Sequence, residues 1–252
     1  MLLTSNGIRN DTLRSALAGL LGKRFSAARM VFIPTASVAV AGDHGWLIDD
    51  LTLARGLGWR EFNILELNGL PGHVVLGRLR QADVIYVAGG NHYHLANSII
   101  ASGLAPGLAD ILQSKVYVGV SAGSMIFSRN LSERTGEAFG EQGDLQILGE
   151  TRPRSPIGLF DWYLKPHMNS AGFPNRTPAW FEKAAAKLDF PVYALDDGSA
   201  VRVRGAEVDV VSAGEWRLLN PAGPQAPGQL TAVRAAAKRL RPGRPWRLPA
   251  RP

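Results

Sequence analysis

One serine between two glycines is the group in this sequence best suited to nucleophilic chemistry. Ser121 lies in the segment GVSAG, residues 119–123, directly after an apolar run typical of a buried strand. A G-x-S-x-G pattern at a strand end indicates a sharp strand-to-helix turn that presents the serine hydroxyl above the sheet. The backbone N–H that follows such a serine can help to form an oxyanion hole. Serine and glycine are common turn residues, so the motif alone also fits a purely structural turn.

A serine hydroxyl near neutral pH needs a base, and histidine is the usual one. The chain contains five histidines. His44 and His73 lie in helix or loop segments away from glycine turns, which favours surface positions. His92 and His94 have an H-x-H spacing that can bind metal, but no acidic ligand stands near them in the sequence, and no metal site is predicted. His167, in KPHMNS, is the only histidine that follows the serine, and it is the candidate base.

A carboxylate is expected as the third group, because it fixes the imidazole tautomer and stabilises the charged imidazole. Asp196 and Asp197 end the predicted strand VYAL and precede a Gly-Ser turn. Asp144 and Asp161, between the serine and the histidine, are the alternatives. The chain continues well beyond His167, so the order Ser, His, Asp fits better than the order Ser, acid, His of α/β-hydrolases. The residues alone leave the choice between the two adjacent aspartates open.

The elements that must position these groups follow an alternating pattern of strands and helices. Apolar runs such as RMVFI, DVIYV and KVYV alternate with segments of helical spacing such as NDTLRSALAGLLG. This pattern predicts a doubly wound, mostly parallel α/β sheet flanked by helices, closed by short antiparallel strands at the C-terminal end. Functional groups of such sheets gather at the carboxyl ends of the strands, where the loops AGGNHYH and GVSAGS lie.

Length and charge indicate one catalytic domain and a basic tail. A chain of 252 residues with 46% hydrophobic residues can form one sizeable core, which we place at residues 1–222. Seven of the 28 basic residues lie between positions 231 and 252, where no acidic residue occurs. The other 21 equal the acidic residues in number, so the net charge of +7 belongs to the tail. We expect the proline- and arginine-rich residues 223–252 to be flexible, and nothing else in the chain suggests nucleic-acid binding.

The residue types also exclude several kinds of site. The chain has no cysteine, which excludes a disulfide framework, a zinc–thiolate site and a thiol nucleophile. The sequence shows no export signal and no apolar run of the ~18 residues that a membrane helix requires. We therefore expect a cytoplasmic protein without a membrane span. Serine chemistry needs neither a metal nor an organic cofactor, and none is predicted; the protein is expected to be a monomer or a homodimer.

Five short motifs together resemble the peptidase E and cyanophycinase family of serine peptidases, which share the flavodoxin-like fold of class I glutamine amidotransferases. The motifs are IPTAS, VIYVAGGN, GVSAGS, K-PH-NS and LDDGSAV, which occur in this order between about residues 29 and 204. The resemblance implies that Ser121 is the nucleophile, His167 the general base and Asp197 the acid. It also implies an oxyanion hole formed by the backbone N–H groups of Gly90 and Ala122.

The resemblance further implies a substrate. It suggests a serine exo- or dipeptidase that hydrolyses short peptides, with Asp-X dipeptidase activity as one form. Arg176 would then help to bind an acidic side chain, and Asn91 would shape the loop after Gly90 or contact the substrate. Two alternatives stay open: an esterase or amidase that uses the same three groups, and a non-catalytic binding protein that acts through the basic tail.

Overall fold

The computed structural model describes residues 1–149 and 151–221. Within them a seven-stranded, mostly parallel sheet is flanked by helices, and a three-stranded sheet packs beside it. This architecture confirms the predicted α/β class. The proposed tail, residues 223–252, and its boundary at residue 222 lie outside the described residues.

The strands and helices of the described residues alternate along most of the chain. The strands are β1 (Leu2–Thr4), β2 (Arg29–Ile33), β3 (Glu61–Ile64), β4 (Val84–Val87), β5 (Val116–Val120), β6 (Tyr163–Met168), β7 (Val192–Asp196), β8 (Ser199–Arg204), β9 (Glu207–Ser212) and β10 (Trp216–Leu219). The helices are α1 (Asp11–Leu21), α2 (Gly45–Gly56), α3 (Gly72–Gln81), α4 (His92–Ala101), α5 (Ala105–Ile111), α6 (Ala122–Met125), α7 (Glu133–Ala138), α8 (Gln142–Leu145) and α9 (Pro178–Ala185).

The large sheet has the strand order β3-β2-β4-β5-β1-β8-β9. Its first five strands are parallel, and β8 and β9 add antiparallel strands at one edge. The small sheet has the order β10-β7-β6, with β6 and β7 parallel and β10 antiparallel to β7. Antiparallel strands therefore close the C-terminal part of the fold, but they are divided between two sheets.

Side chains of the large sheet pack on both of its faces, which explains why its inner strands are apolar throughout. Successive residues of one strand belong to different clusters: Leu2 packs with the helices α1 and α2, whereas Leu3 packs with α3 to α5 and with the small sheet. Helix α1 shows how local sequence fits this plan, because Asn10 caps its first turn and Gly22, at φ +69°, ends it.

The central strands β4, β5 and β1 all end at the same edge of the large sheet, and the following loops meet there. Among the described helices, none combines the length and the apolar character needed to cross a bilayer. The edge where these three strands end is therefore the place to look for the predicted groups.

Candidate active site

Ser121 occupies a strained turn between β5 and α6. Its backbone has φ +46° and ψ −104°, a region that non-glycine residues adopt only when their surroundings enforce it. Both neighbouring glycines are required by space: a Cβ on Gly119 would lie 2.6 Å from the backbone of Gly123, and a Cβ on Gly123 would lie 2.4 Å from the Val87 carbonyl oxygen. The Ser121 N–H donates to the Thr4 carbonyl at 3.0 Å. The sharp turn expected from the motif is thus present.

His167 reaches this serine from the small sheet. It belongs to β6, where the pairing with β7 shifts register between Lys165 and Met168, and its φ is +68°. Such a bulge redirects a side chain, and here the imidazole Nε2 lies 2.9 Å from Ser121 Oγ. The His167 backbone N–H donates to Ser5 Oγ at 2.8 Å, which ties the bulge to the end of β1.

Asp197 is the aspartate of the adjacent pair that contacts the imidazole. Its Oδ1 lies 2.8 Å from His167 Nδ1 and also accepts from Ser5 Oγ at 3.2 Å, while its Oδ2 accepts from Ser170 Oγ at 2.5 Å. The carboxylate of Asp196 is turned away. It accepts from the backbone N–H of Gly198 and of Glu215 and from the Ser199 hydroxyl, and so holds the turn after β7.

The other carboxylates considered from the sequence lie elsewhere. Asp161 is exposed and pairs with Arg129 at 2.5 Å. Asp144 lies on α8 with an exposed side chain. In residues 1–149 and 151–221, neither of them hydrogen-bonds to His167.

The environment sets the charges of the two titratable groups. Burial by itself raises the pKa of Asp197, but the hydrogen bonds from His167 and Ser170 outweigh it and lower that pKa to about 2. Burial lowers the pKa of His167, and the hydrogen bond and charge of Asp197 offset only part of this effect. Near neutral pH the carboxylate is therefore ionised and the imidazole neutral. With Nδ1–H donating to Asp197, Nε2 is left as the acceptor that faces Ser121.

The loop after β4 borders the serine. Gly90 has φ +130°, and a Cβ there would lie 2.2 Å from the Ala36 carbonyl oxygen, so only glycine fits. Asn91 donates its backbone N–H to the same oxygen at 2.8 Å. Its side chain caps α4 by accepting from the His94 N–H and donates to the Asp144 carbonyl, each at 2.9 Å. Asn91 therefore shapes the loop, and both ends of its buried amide have protein partners.

Two backbone N–H groups lie on this loop and on the turn at Ser121. Ala122 begins α6 directly after the serine, and Gly90 lies on the neighbouring loop. The two elements are close, since a Cβ on Gly89 would lie 3.5 Å from Ser121 Cβ. Among the residues that the structure describes, the N–H groups of Gly90 and Ala122 donate to no protein acceptor. They are available to a developing oxyanion.

The Phe173 ring contacts both the Arg176 guanidinium and the His167 imidazole. The Phe173 ring stacks on the His167 ring at 4.6 Å between centroids, and the Arg176 guanidinium carbon lies 4.0 Å from the Phe173 centroid. Phe173 is 41% exposed, although it covers a buried histidine. Within the described residues Arg176 forms no ion pair.

Several groups of the site were not foreseen from the sequence. Ser5 could have been found, because it directly follows β1, the strand beside β5. Ser170 and Phe173 lie in the loop after His167 and have no distinctive spacing of their own. Their roles follow from the folded contacts alone.

The remaining histidines do not join the serine. His92 is buried, and its Nε2 lies 3.4 Å from the Tyr163 hydroxyl; burial lowers its pKa to about 4. His94 contacts Ser98 at 3.4 Å, and His73 is exposed. His44 bridges two loop carbonyls. In the described part of the chain, no cluster of three or more His, Cys, Asp or Glu side chains is arranged to hold a metal ion.

Comparisons with known proteins agree on one family. The model of peptidase family S51 matches residues 1–211. A peptidase E from Streptomyces coelicolor is 27% identical over 209 residues, which cover 81% of each chain. A peptidase E from Shewanella amazonensis is 29% identical over 194 residues, 73% of this chain and 75% of the relative.

Solved structures share the fold. A crystal structure of a Listeria monocytogenes protein provisionally described as a peptidase E superposes with a TM-score of 0.66 at 23% identity, covering 84% of this chain and 98% of that one. A peptidase from an acI-B1 Actinobacterium gives a TM-score of 0.62 at 20% identity, covering 94% and 96%. At such identities the structural likeness establishes the fold alone.

Proposed function

The chain belongs to peptidase family S51 and is a serine peptidase, and we propose that it hydrolyses short peptides through an acyl-enzyme on Ser121. In this proposal His167 is the general base, Asp197 holds the imidazole, and the N–H groups of Gly90 and Ala122 form the oxyanion hole. The observation that carries it is the pair of contacts from Ser121 Oγ to His167 Nε2, at 2.9 Å, and from His167 Nδ1 to Asp197, at 2.8 Å.

Acylation begins when Ser121 Oγ attacks the carbonyl carbon of the scissile peptide bond and its proton passes to His167 Nε2. The negative charge that develops on the carbonyl oxygen is held by the two backbone N–H groups, while Asp197 stabilises the imidazolium. The tetrahedral intermediate collapses as the C–N bond breaks and Nε2–H protonates the leaving amine. The acyl group stays on Ser121 as an ester.

Deacylation repeats these steps with water as the nucleophile. His167 takes a proton from the water molecule that attacks the ester carbonyl, and it then returns the proton to Ser121 Oγ as the carboxylic acid product leaves. The strained turn at Ser121 keeps Oγ in place through both halves of the reaction.

We further propose that the peptidase prefers an acidic residue on the N-terminal side of the cleaved bond. The support is Arg176, whose guanidinium has no ion-pair partner among the described residues and lies over the Phe173 ring that stacks on the His167 imidazole. A guanidinium can bind a carboxylate with two parallel hydrogen bonds, which suits recognition of an aspartate side chain. Asp-X dipeptides are thus the first substrates to try.

The test is hydrolysis of a peptide panel by the wild type and Ser121→Ala. The panel contains Asp-Leu, Asn-Leu, Ala-Leu and the N-acetylated form of each, and a small ester tests the esterase alternative. We expect cleavage of Asp-Leu in preference to the isosteric Asn-Leu, and loss of all cleavage in Ser121→Ala. Cleavage that survives in Ser121→Ala would refute the nucleophile, and cleavage of the ester alone would favour an esterase. Whether the enzyme is a monomer or a homodimer stays a prediction.

A further inference from the structure

A buried ion pair joins β6, the strand of the proposed base, to the residue that precedes α8. Lys165 lies on β6, two residues before His167, and its ammonium donates to a carboxylate oxygen of Glu141. The side chains of Lys165 and Glu141 are 1% and 5% exposed. Charged groups are seldom buried this completely unless they are paired.

The second carboxylate oxygen of Glu141 contacts the first turn of α4. It accepts from the Tyr93 hydroxyl at 3.1 Å and lies 3.6 Å from His92 Nε2. Both residues follow directly after Gly90 and Asn91. One carboxylate therefore holds the start of α4 with one oxygen and β6 with the other.

A second contact fixes the same part of the chain against α4. Asn91 donates its side-chain amide to the carbonyl of Asp144 at 2.9 Å, three residues after Glu141. His92 completes the link on the other side, since its Nε2 lies 3.4 Å from the hydroxyl of Tyr163 on β6. The loop that carries Gly90 and the strand that carries His167 are thus tied both through the segment 141–144 and directly, by the contact between His92 and Tyr163.

Stability alone does not account for this ion pair. Removing two charges from water costs about as much as their attraction returns, and apolar side chains of similar size often replace such a pair without loss. Burial acts to raise the pKa of Glu141, but the Lys165 ammonium outweighs it and the pKa is lowered, so the carboxylate stays ionised. What an apolar replacement could not supply is a directional link to α4 and β6 at once.

We propose that Glu141 is a positioning residue that sets the distance between the Gly90 N–H and the His167 imidazole. This inference rests on the proposed function, because both groups must meet the same tetrahedral intermediate. A misplacement of about 1 Å in such an arrangement can cost ~10²-fold in rate. Lys165 and Tyr93 act through Glu141 and not on the substrate.

The main test is the double variant Glu141→Gln/Lys165→Met, compared with the wild type. Glu141→Gln alone would leave a buried, unpaired ammonium and is expected to destabilise the fold strongly. The double variant removes both charges and nearly keeps the side-chain volumes. The introduced glutamine can still accept from the Tyr93 hydroxyl, but the introduced methionine cannot donate to that glutamine, so the link to β6 is lost. We expect a thermal midpoint near that of the wild type, a kcat lowered ~10- to 100-fold and an unchanged KM.

A second variant covers the case in which the double variant fails to fold. Tyr93→Phe removes only the hydroxyl that links α4 to Glu141 and leaves the ion pair intact. We expect it to fold and to lower kcat about fivefold, the rate equivalent of one neutral hydrogen bond. A structural role without positioning would lower the thermal midpoint and leave the kcat of the folded enzyme unchanged.

The control is an ion pair remote from the site. Arg202 and Asp209 join β8 and β9 at 2.6 Å, and the variant Arg202→Met/Asp209→Asn should retain the wild-type kcat. The rate of Ser121 labelling by diisopropyl fluorophosphate provides a second readout that needs no knowledge of the peptide substrate. Slower labelling of the Glu141→Gln/Lys165→Met and Tyr93→Phe variants than of wild type and control supports the proposal.

The outcomes separate this inference from the function on which it rests. If the wild type is labelled and cleaves peptides, but both test variants match its kcat and labelling rate, Glu141 does not position the site. If the wild type is neither labelled nor active on any panel peptide, the proposed function fails, and the positioning role fails with it.

Discussion

The adjacent residues Asp196 and Asp197 should respond to the same substitution in opposite ways. Asp197→Asn preserves the shape of the side chain but removes the charge that faces His167 Nδ1. The amide can also donate to Nδ1, which would place the imidazole proton on Nε2. A protonated Nε2 cannot accept the proton of Ser121. Both effects act on the transition state, so kcat/KM should fall while the protein still folds.

The size of the effect follows from the environment of the carboxylate. The pKa of Asp197 is lowered from an ordinary value of 3.8 to about 2, which corresponds to roughly 2 to 3 kcal/mol in favour of the charged form. The hydrogen bond to His167 is the largest of the lowering contributions, and the charge of His167 adds to it. If most of this interaction also stabilises the imidazolium, its loss lowers the rate by almost 10²-fold, and the wrong tautomer extends the loss toward ~10⁴-fold.

Asp196→Asn is the matched control. The Asp196 carboxylate accepts from two backbone N–H groups and the Ser199 hydroxyl, and it does not contact His167. Its replacement should cost ~1–3 kcal/mol of folding stability and leave kcat/KM of the folded enzyme unchanged. The assay is kcat/KM on Asp-Leu at pH 7.5 beside thermal unfolding of both variants. An Asp197→Asn enzyme within tenfold of the wild type, or an Asp196→Asn enzyme that folds without activity, would show that Asp197 is not the carboxylate that supports His167.

Three further predictions concern the proposed base, the loop that carries Gly90 and the substrate specificity. Burial holds the pKa of His167 below its ordinary 6.5, and only the neutral imidazole accepts a proton. The acid limb of kcat/KM should therefore have its midpoint below pH 6.5; a midpoint above it would contradict this environment. Gly90→Ala places a Cβ 2.2 Å from the Ala36 carbonyl oxygen, so the backbone must shift and move the Gly90 N–H; kcat should fall ~10²- to 10³-fold. Gly77→Ala, in open space, should keep the wild-type kcat, and equal kcat values for the two variants would exclude Gly90 from the oxyanion hole. Arg176→Ala should lower kcat/KM for Asp-Leu ~10²-fold, as expected for a hydrogen bond to a charged group, and spare Ala-Leu; equal losses on both peptides would argue against recognition by Arg176.

The sequence predicted the fold class and the main groups of the candidate site for physical reasons. Strands covered on both faces are apolar throughout, and this pattern survives in a single sequence. Ser121 stands out because its G-x-S-x-G turn directly follows an apolar run, and His167 because it is the only histidine after that serine. The choice between Asp196 and Asp197 needed the structure, since successive side chains near a strand end point in different directions.

Contacts distant in the sequence were beyond such reasoning. The turn after Asp197 joins strands of two different sheets, although its residues are equally typical of a hairpin. His92 has no acidic neighbour in the sequence, yet Glu141 lies 3.6 Å away in the fold. Lys165 belongs to a buried strand, and no local pattern reveals which carboxylate neutralises it.

The proposed function requires that Ser121 is the nucleophile and His167 its base. We would incubate the wild type, Ser121→Ala and His167→Ala with diisopropyl fluorophosphate and locate the adduct by peptide mass spectrometry. We expect one phosphoryl adduct, on the peptide that contains Ser121, in the wild type only. An adduct on another residue, or equal labelling of the wild type and the His167→Ala variant, would contradict it.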